Sequence, residues 1–279
     1  MANCEYTQEK FKESRDIFKM MVEKAHSNDL EKMTSPDCSI AIKTAVSWAY
    51  NDTKRTMHGI TTDDRKEAED AIVKEFKVYF TNPAPCEKKF KESHIRLCNA
   101  WINSFEDGSP LGTYGKAQKI VNMTFKYLYC YADDILKERF KYCHMPLDSF
   151  TLEWFKRNIQ EVDPTKIGSW SKMEDEKSDT IKIPKNKEKY YYPFYVKKIV
   201  EFINNINQGK PEEDKLTPLQ LEFIIWPKMQ LELATENYLF TLTDEYKKTS
   251  EKEKLRKESL EDKMALVVNT INNFNCKKQ

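Results

Sequence analysis

The chain has 279 residues, which is enough for one large or two small domains with a substantial hydrophobic core. Apolar residues make up 39% and charged residues 33%, proportions that exclude wholesale disorder. The formal net charge of +1 neither indicates nor excludes a nucleic-acid partner, because DNA enzymes often gather positive charge on one face.

The numbers of glycines and cysteines limit the possible fold classes and indicate the cellular compartment. Only six glycines are present, which argues against a turn-rich β-sandwich or a glycine-looped nucleotide fold. The seven cysteines include no Cys-x-x-Cys pair, which disfavours a disulfide framework and a zinc site. We expect reduced thiols in a cytoplasmic protein that has no metal ion, no secretory signal and no membrane span.

Apolar residues recur at helical spacing along most of the chain, which predicts an all-α protein. The segment 116–131 is apolar nearly all round, which is typical of a helix buried in the middle of a domain. Residues 171–190 are rich in Lys, Asp and Glu and predict a surface loop. Helices are predicted at residues 7–26, 39–58, 62–80, 87–105, 116–131, 149–159, 193–207 and 217–241, with a charged helix at about 247–263.

Two short segments concentrate the residues that are suited to chemistry. The first is the turn of residues 106–115, EDGSPLGTYG, which holds three of the six glycines and leads into the buried helix. Backbone N–H groups in such a turn bind anions, including DNA phosphates. The second is residues 144–148, HMPLD, where Pro146 bars a helix and Asp148 is suited to cap the next one.

Lys119 and Asp148 would together suit the cleavage of an N-glycosidic bond. Near a helix start the dipole and burial both disfavour an ammonium group, so Lys119 is expected to approach a nucleophilic amine. The same kind of position stabilises the carboxylate of Asp148. A buried anion supports the positive charge that develops on a sugar ring as a base departs.

At these residues the chain resembles the helix-hairpin-helix DNA glycosylases, which include endonuclease III and the 8-oxoguanine glycosylases with their archaeal-type relatives. Residues 115–119, Gly-Lys-Ala-Gln-Lys, look like the family motif Gly-Val-Gly-Thr-Lys, and residues 144–148 look like Val-Pro-Val-Asp. In the family that lysine forms a Schiff base with C1′ of the sugar, and that aspartate is the catalytic acid. The resemblance assigns these roles to Lys119 and Asp148 and implies an abasic-site lyase activity.

The resemblance covers roughly residues 111–154 and includes departures from the family pattern. Leu111-Gly112-Thr113-Tyr114 replaces the usual Leu-Pro-Gly hairpin, and Ala117 stands where a second glycine is usual. No four-cysteine iron–sulfur loop follows the motifs, unlike in endonuclease III. The interval between Lys119 and Asp148 is closer to that of the archaeal-type 8-oxoguanine enzymes.

The resemblance implies two helical subdomains with a DNA-binding cleft between them. Residues 34–145 would form the central subdomain, with the helix-hairpin-helix at about 94–131. Residues 1–33 would pack with a C-terminal subdomain of residues 146–279. We expect a nucleoid-associated monomer that binds double-stranded DNA and needs no cofactor. DNA contacts are expected from Gly112, Tyr114, Gly115, Lys116, Gln118 and His144.

Several residues have an alternative interpretation. Lys126 lies two helical turns beyond Lys119 and is a rival nucleophile, whereas Lys116 is better suited to a phosphate contact. Asp148 could serve only as an N-cap, and His144 is more often structural than a metal ligand. Core packing is the ordinary interpretation of Trp48, Trp226 and the tyrosines at 190–192, and a pocket role for Asp52 or Arg55 has no support in the sequence.

The function also has alternatives. An oxidised purine such as 8-oxoguanine is the first expectation for the excised base. A hypermodified base of phage DNA is the second, which would make the protein an antiviral defence enzyme. Two further hypotheses are a non-catalytic helix-hairpin-helix DNA-binding protein and a helical interaction module with no DNA role. DNA binding that falls with salt would exclude the last of these.

Overall fold

The computed structural model describes residues 5–132, 134–159, 168–175 and 191–241. Within these ranges the regular structure is helical, so the all-α prediction is confirmed there. The helices are α1 (Gln8–Ala25), α2 (Leu30–Met33), α3 (Cys38–Thr53), α4 (Thr62–Thr81), α5 (Glu87–Ile102), α6 (Tyr114–Tyr131), α7 (Ser149–Asn158), α8 (Tyr192–Asn207) and α9 (Pro218–Thr241). Short 3₁₀ turns lie at Lys54–Thr56, Asp134–Phe140, Trp170–Lys172 and Glu212–Asp214.

Local capping sets where several of these helices begin. The hydroxyl of Thr61 accepts the N–H of Asp64, whose side chain returns a bond to the Thr61 N–H, and this capping box starts α4. Thr113 caps α6 by accepting the N–H of Lys116. Helix α6 therefore begins at Tyr114, two residues before the predicted start. Predicted helix 39–58 is also shorter than expected, because α3 passes into a 3₁₀ turn after Thr53.

The helices pack in two neighbourhoods that share one hydrophobic core. Helix α3 packs against α6 and α4, and α5 packs against α4 and α6. Helices α1 and α7 both pack against α9. All of these helices contribute buried apolar side chains to a single cluster. The division at residues 33/34 and 145/146 stays a prediction, as do the cleft and the helix-hairpin-helix assignment.

Helix α6 is the most deeply buried element that the structure describes. Every residue from Tyr114 to Cys130 is buried, which fits the prediction that this helix lies inside a domain. Several of these residues are polar or charged, and a buried polar group is costly unless it finds a partner. The partners of these α6 side chains define the site described below. The buried polar and charged residues of α6 include Lys116, Gln118, Lys119, Asn122 and Lys126.

Residues 168–175 pack directly on the start of α6. The N–H of Gly115 donates to the carbonyl of Met173 at 2.9 Å, and the hydroxyl of Thr113 donates to the carbonyl of Ser171 at 2.7 Å. A Cβ atom on Gly115 would lie 1.9 Å from the carbonyl oxygen of Trp170. Glycine is therefore required at this position by close backbone approach, with no positive φ involved.

Some predictions fall outside the described residues or concern membranes. The predicted charged helix at 247–263 and most of the predicted loop at 171–190 lie outside the described ranges. In the described part of the chain, no helix combines the length and the apolar character needed to cross a bilayer.

We expect Gly115→Ala to destabilise the protein by about 1–3 kcal/mol, the usual cost of forcing an extra methyl group into a packed site. The added Cβ would push residues 168–175 away from α6, because the nearest atom is backbone. Denaturant unfolding gives the measurement, with Ser169→Ala on the exposed side of the same segment as the control. Equal free energies of unfolding for Gly115→Ala and wild type would contradict the close approach.

Candidate active site

The structure brings Lys119 and Asp148 into direct contact. The Nζ atom of Lys119 donates to Oδ2 of Asp148 at 2.5 Å. Their side chains are 7% and 9% exposed, so the ion pair lies almost entirely inside the protein. The two residues are far apart in the sequence, and α6 and the start of α7 place them together.

Asp148 is held in place as the N-cap of α7. Its Oδ1 atom accepts the N–H groups of Phe150 at 2.9 Å and Thr151 at 3.0 Å. The Thr151 hydroxyl accepts the N–H of Asp148 at 2.8 Å, which completes a capping box. The predicted N-cap role is thus confirmed. It uses one carboxylate oxygen and leaves Oδ2 for Lys119.

The environment of Asp148 keeps it ionised. Burial acts to raise the pKa of this carboxyl, but the charge of Lys119, its hydrogen bond and the Thr151 N–H together outweigh burial. The net result is a pKa below the ordinary value of 3.8. Asp148 is therefore a carboxylate at neutral pH, as required of a group that stabilises positive charge.

Other charged and aromatic groups surround this pair. The indole ring of Trp170 lies over the ammonium of Lys119, with 5.7 Å between Nζ and the ring centroid. Asp52, at the end of α3, accepts a hydrogen bond from the hydroxyl of Tyr127 at 2.6 Å. Solvent reaches Asp52, yet surrounding protein atoms raise its pKa against the opposing charge of Lys119. The charge of Lys119 therefore acts on a second carboxylate, that of Asp52, for which the sequence gave no support for a pocket role.

The rival lysine, Lys126, is sealed in the core. Its Nζ atom lies 2.6 Å from Oε2 of Glu222, and both side chains are 1% exposed. The ring centroids of Phe18, Phe223 and Trp226 lie 3.9, 4.9 and 4.9 Å from the same Nζ atom. A lysine enclosed in this way offers no approach to a sugar carbon. Of the two lysines that the sequence offers as a nucleophile, Lys119 is therefore the less enclosed.

Glu222 is a site-adjacent residue that the sequence did not single out. Burial raises its pKa, and the ammonium of Lys126 opposes that rise. The available signal was a single acidic residue inside the apolar run 219–226 of α9, together with the last of the three lysines of α6. Pairing them required knowing that the two helices meet.

Four of the predicted DNA contacts lie inside the protein. The Tyr114 hydroxyl is within 3.4 Å of the His94 ring, and the Gly115 N–H is taken by Met173. Lys116 donates to the carbonyl of Pro110 at 2.5 Å and is 7% exposed. Gln118 is fully buried. The polar groups of Tyr114, Gly115 and Gln118 and one donor of the Lys116 ammonium are thus bonded within the fold, and DNA contact by these four residues stays a prediction.

The other two predicted DNA contacts are more accessible. Gly112 is half-buried, and its N–H donates to the carbonyl of Ser109 at 3.1 Å. His144 is half-buried, and its Nδ1 atom lies 2.8 Å from the hydroxyl of Tyr192. Burial lowers the pKa of His144, so its ring is neutral at physiological pH. DNA contact by these two residues stays a prediction.

The remaining candidates have structural positions. Trp48 is buried in the core, and the imidazole of His26 stacks on it with 4.3 Å between ring centroids. Tyr192 is buried at the start of α8, while Trp226 is half-buried against Lys126. Among the described residues, no three His, Cys, Asp or Glu side chains converge in a way that would hold a metal ion.

No family model, no curated protein and no solved structure matches the chain. The resemblance to helix-hairpin-helix glycosylases therefore rests on the two short motifs alone.

Asp148→Asn should destabilise the protein at neutral pH by about 3–5 kcal/mol, because it leaves the Lys119 ammonium buried without a counter-charge. Asparagine still caps a helix well, so the α7 start is kept. The folded-state pKa of Asp148 is depressed, so its stabilising effect is present above 3.8 and is lost as pH falls through the folded pKa. Denaturant unfolding should show the two proteins converging at acidic pH. A constant difference across pH would contradict the ion pair.

Lys126→Met should cost about 3–5 kcal/mol, because Glu222 then remains buried and unpaired. The double variant Lys126→Met/Glu222→Leu should recover most of that loss, since replacing both partners of a buried pair by apolar groups is often neutral. Free energies of unfolding for both single variants and the double variant test this. Additive losses would show that the two side chains do not interact.

Proposed function

We propose that this protein is a DNA glycosylase that extrudes a modified or damaged base from double-stranded DNA and excises it, with Lys119 as the nucleophile. The observation that carries the proposal is the buried contact between Lys119 Nζ and the Asp148 carboxylate. A nucleophile, a stabilising anion and low water access are the three requirements of this chemistry. Both residues also occupy the motif positions that the resemblance assigns to these roles.

The reaction follows from the two groups. Lys119 carries a proton in the ion pair, and that proton moves to the departing base, so Asp148 stays a carboxylate. The Nζ lone pair bonds to C1′ while the bond from C1′ to the base breaks, and its electron pair leaves with the base. Asp148, ionised by its surroundings, stabilises the positive charge on the sugar.

The same intermediate accounts for a lyase activity. Protonation of the ring oxygen opens the sugar and gives a Schiff base between Nζ and C1′. Loss of a proton from C2′ then expels the 3′ phosphate and nicks the strand. No step calls for a cofactor, because the amine and the carboxylate supply the nucleophile and the charge stabilisation.

The nucleotide needs a route to Lys119. The ammonium is nearly buried, and Trp170 lies over it. We expect residues 168–175 to shift when DNA binds, so that an extruded nucleotide takes the place of the Trp170 ring. The first candidate for the excised base is an oxidised purine such as 8-oxoguanine. A hypermodified base of phage DNA is the second candidate and would imply antiviral defence.

Borohydride trapping tests the proposal. Duplex oligonucleotides with 8-oxoguanine, an abasic site or glucosylated cytosine are each incubated with wild type, Lys119→Gln and Lys126→Gln. We expect a covalent adduct with wild type and with the folded fraction of Lys126→Gln, and none with Lys119→Gln. The oligonucleotide trapped most efficiently identifies the substrate class. Thermal unfolding of each variant shows whether a lost adduct reflects a lost fold.

Other outcomes point to other functions. Alkali-labile sites without an adduct would mean a base-only glycosylase in which Asp148 activates water. Salt-sensitive binding with every base intact would favour a non-catalytic DNA-binding protein. Absence of DNA binding at any salt concentration would overturn the proposal and leave a helical interaction module.

A further inference from the structure

We infer that Gln118 is the positioning residue that holds Asp148 opposite Lys119. The inferred effect of Gln118 on the reaction rate rests on the proposed function. Its inferred effect on the Lys119–Asp148 ion pair holds whether or not the protein is a glycosylase. The motif resemblance treats this position as a DNA contact. The structure places it in the interior, one residue before Lys119 and beside the residue that precedes Asp148.

Gln118 pairs with both backbone polar groups of Leu147. Its Nε2 atom donates to the Leu147 carbonyl at 2.9 Å, and its Oε1 atom accepts the Leu147 N–H at 3.2 Å. The pairing resembles that between two backbone amides in a sheet. Leu147 belongs to no helix or strand, so its backbone N–H and carbonyl have no partner from regular secondary structure. The Gln118 amide supplies both hydrogen bonds instead.

The orientation of the Gln118 amide is determined by four partners. Nε2 also donates to the Gly115 carbonyl at 3.0 Å, and Oε1 also accepts from Nδ2 of Asn122 at 3.0 Å. Exchanging the oxygen and nitrogen would set donors against donors and acceptors against acceptors. All four hydrogen-bonding positions of a fully buried amide are therefore satisfied in one orientation.

Asn122 holds the Gln118 amide in this orientation, because the Asn122 amide is itself fixed by two other residues. Its Nδ2 atom donates to the Tyr192 hydroxyl at 2.8 Å, and its Oδ1 atom lies 3.0 Å from Nε2 of His94. Both of those residues are buried, on α8 and α5 respectively. The Gln118 amide thus belongs to a buried network anchored on three helices, which restricts its rotamer.

This pairing controls the distance between the two proposed reactive groups. Lys119 and Asp148 are the chain neighbours of Gln118 and Leu147, so the amide pairing sets the register of one backbone against the other. Leu147 is only 1% exposed, but apolar packing of its side chain is not directional and would tolerate a shift of residues 147–148 along α6. The two directional hydrogen bonds from Gln118 would not tolerate that shift. A misplacement of about 1 Å in an active site costs on the order of 100-fold in rate.

The test uses an abasic-site duplex and three variants. Gln118→Met keeps the side-chain length without hydrogen bonds, and Gln118→Glu keeps the shape but loses the amide donors. Gln220→Met is the matched control, because Gln220 is also a hydrogen-bonded glutamine on a helix, α9. Its N–H donates to the Thr217 hydroxyl at the start of α9, and its side chain donates to the Tyr129 hydroxyl. Single-turnover trapping rates are measured over a pH range. Binding is measured with a duplex that carries a tetrahydrofuran abasic analogue.

We expect Gln118→Met to trap on the order of tenfold to 100-fold more slowly, with binding of the analogue within about twofold of wild type. Gln118→Glu should recover rate as pH falls, because a protonated carboxyl can donate to the Leu147 carbonyl while it accepts the Leu147 N–H. Gln220→Met should trap as wild type does. Trapping at the wild-type rate by folded Gln118→Met would overturn the inference and leave the proposed function intact.

A double-mutant cycle tests the inference without catalysis. If Gln118 positions Asp148, Asp148→Asn should cost less in the Gln118→Met background, by about fivefold or more in the unfolding equilibrium constant. Gln118→Glu serves in the cycle if Gln118→Met does not fold. Absence of trapping by wild type would count against the proposed function alone, and the cycle then decides the inference. Additive costs in the cycle would overturn it.

Discussion

The burial of α6 on all sides is the constraint on which the rest of the structure depends. A helix enclosed from Tyr114 to Cys130 cannot leave a lysine or an amide unpaired, since each unpaired group would cost several times the net worth of a hydrogen bond. The surrounding elements therefore supply a carboxylate, a backbone group or a polar side chain to the lysines and amides of α6. The polar network and the apolar core are two results of the same requirement.

The two lysine–carboxylate pairs of α6 show how similar chemistry can have different consequences. Lys126 and Glu222 are enclosed by aromatic rings, so their charges are locked into the core. The side chains of Lys119 and Asp148 are slightly more exposed, at 7% and 9% against 1% for the first pair, and Trp170 of residues 168–175 lies over Lys119. The ring over Lys119 belongs to a 3₁₀ turn, at Trp170, whereas the rings around Lys126 belong to the long helices α1 and α9. The depth of each pair, and not its composition, separates a structural role from a candidate reactive one.

Local signals in the sequence predicted much of this arrangement. Helical periodicity placed most helices, and Pro146 followed by Asp148 predicted an extended segment that ends in an N-cap. The contacts that were missed join residues far apart in the chain. Glu222 meets Lys126 only because α9 returns to α6, and Gly115 is required because residues 168–175 cross it. The interior partners of Gln118 were missed for a related reason, since an amide binds whatever faces it and a local motif does not reveal what that is.

The carbonyl of Met173 on the N–H of Gly115 occupies a group that a helix start would otherwise offer to an anion. Under the proposed function, residues 168–175 then act as an intramolecular competitor of a DNA phosphate. The apparent affinity for DNA would equal the intrinsic affinity multiplied by the fraction of molecules in which this segment has released α6. Substitutions in residues 168–175 would then tune DNA binding by changing how often the segment releases α6, without altering any group that contacts the phosphate.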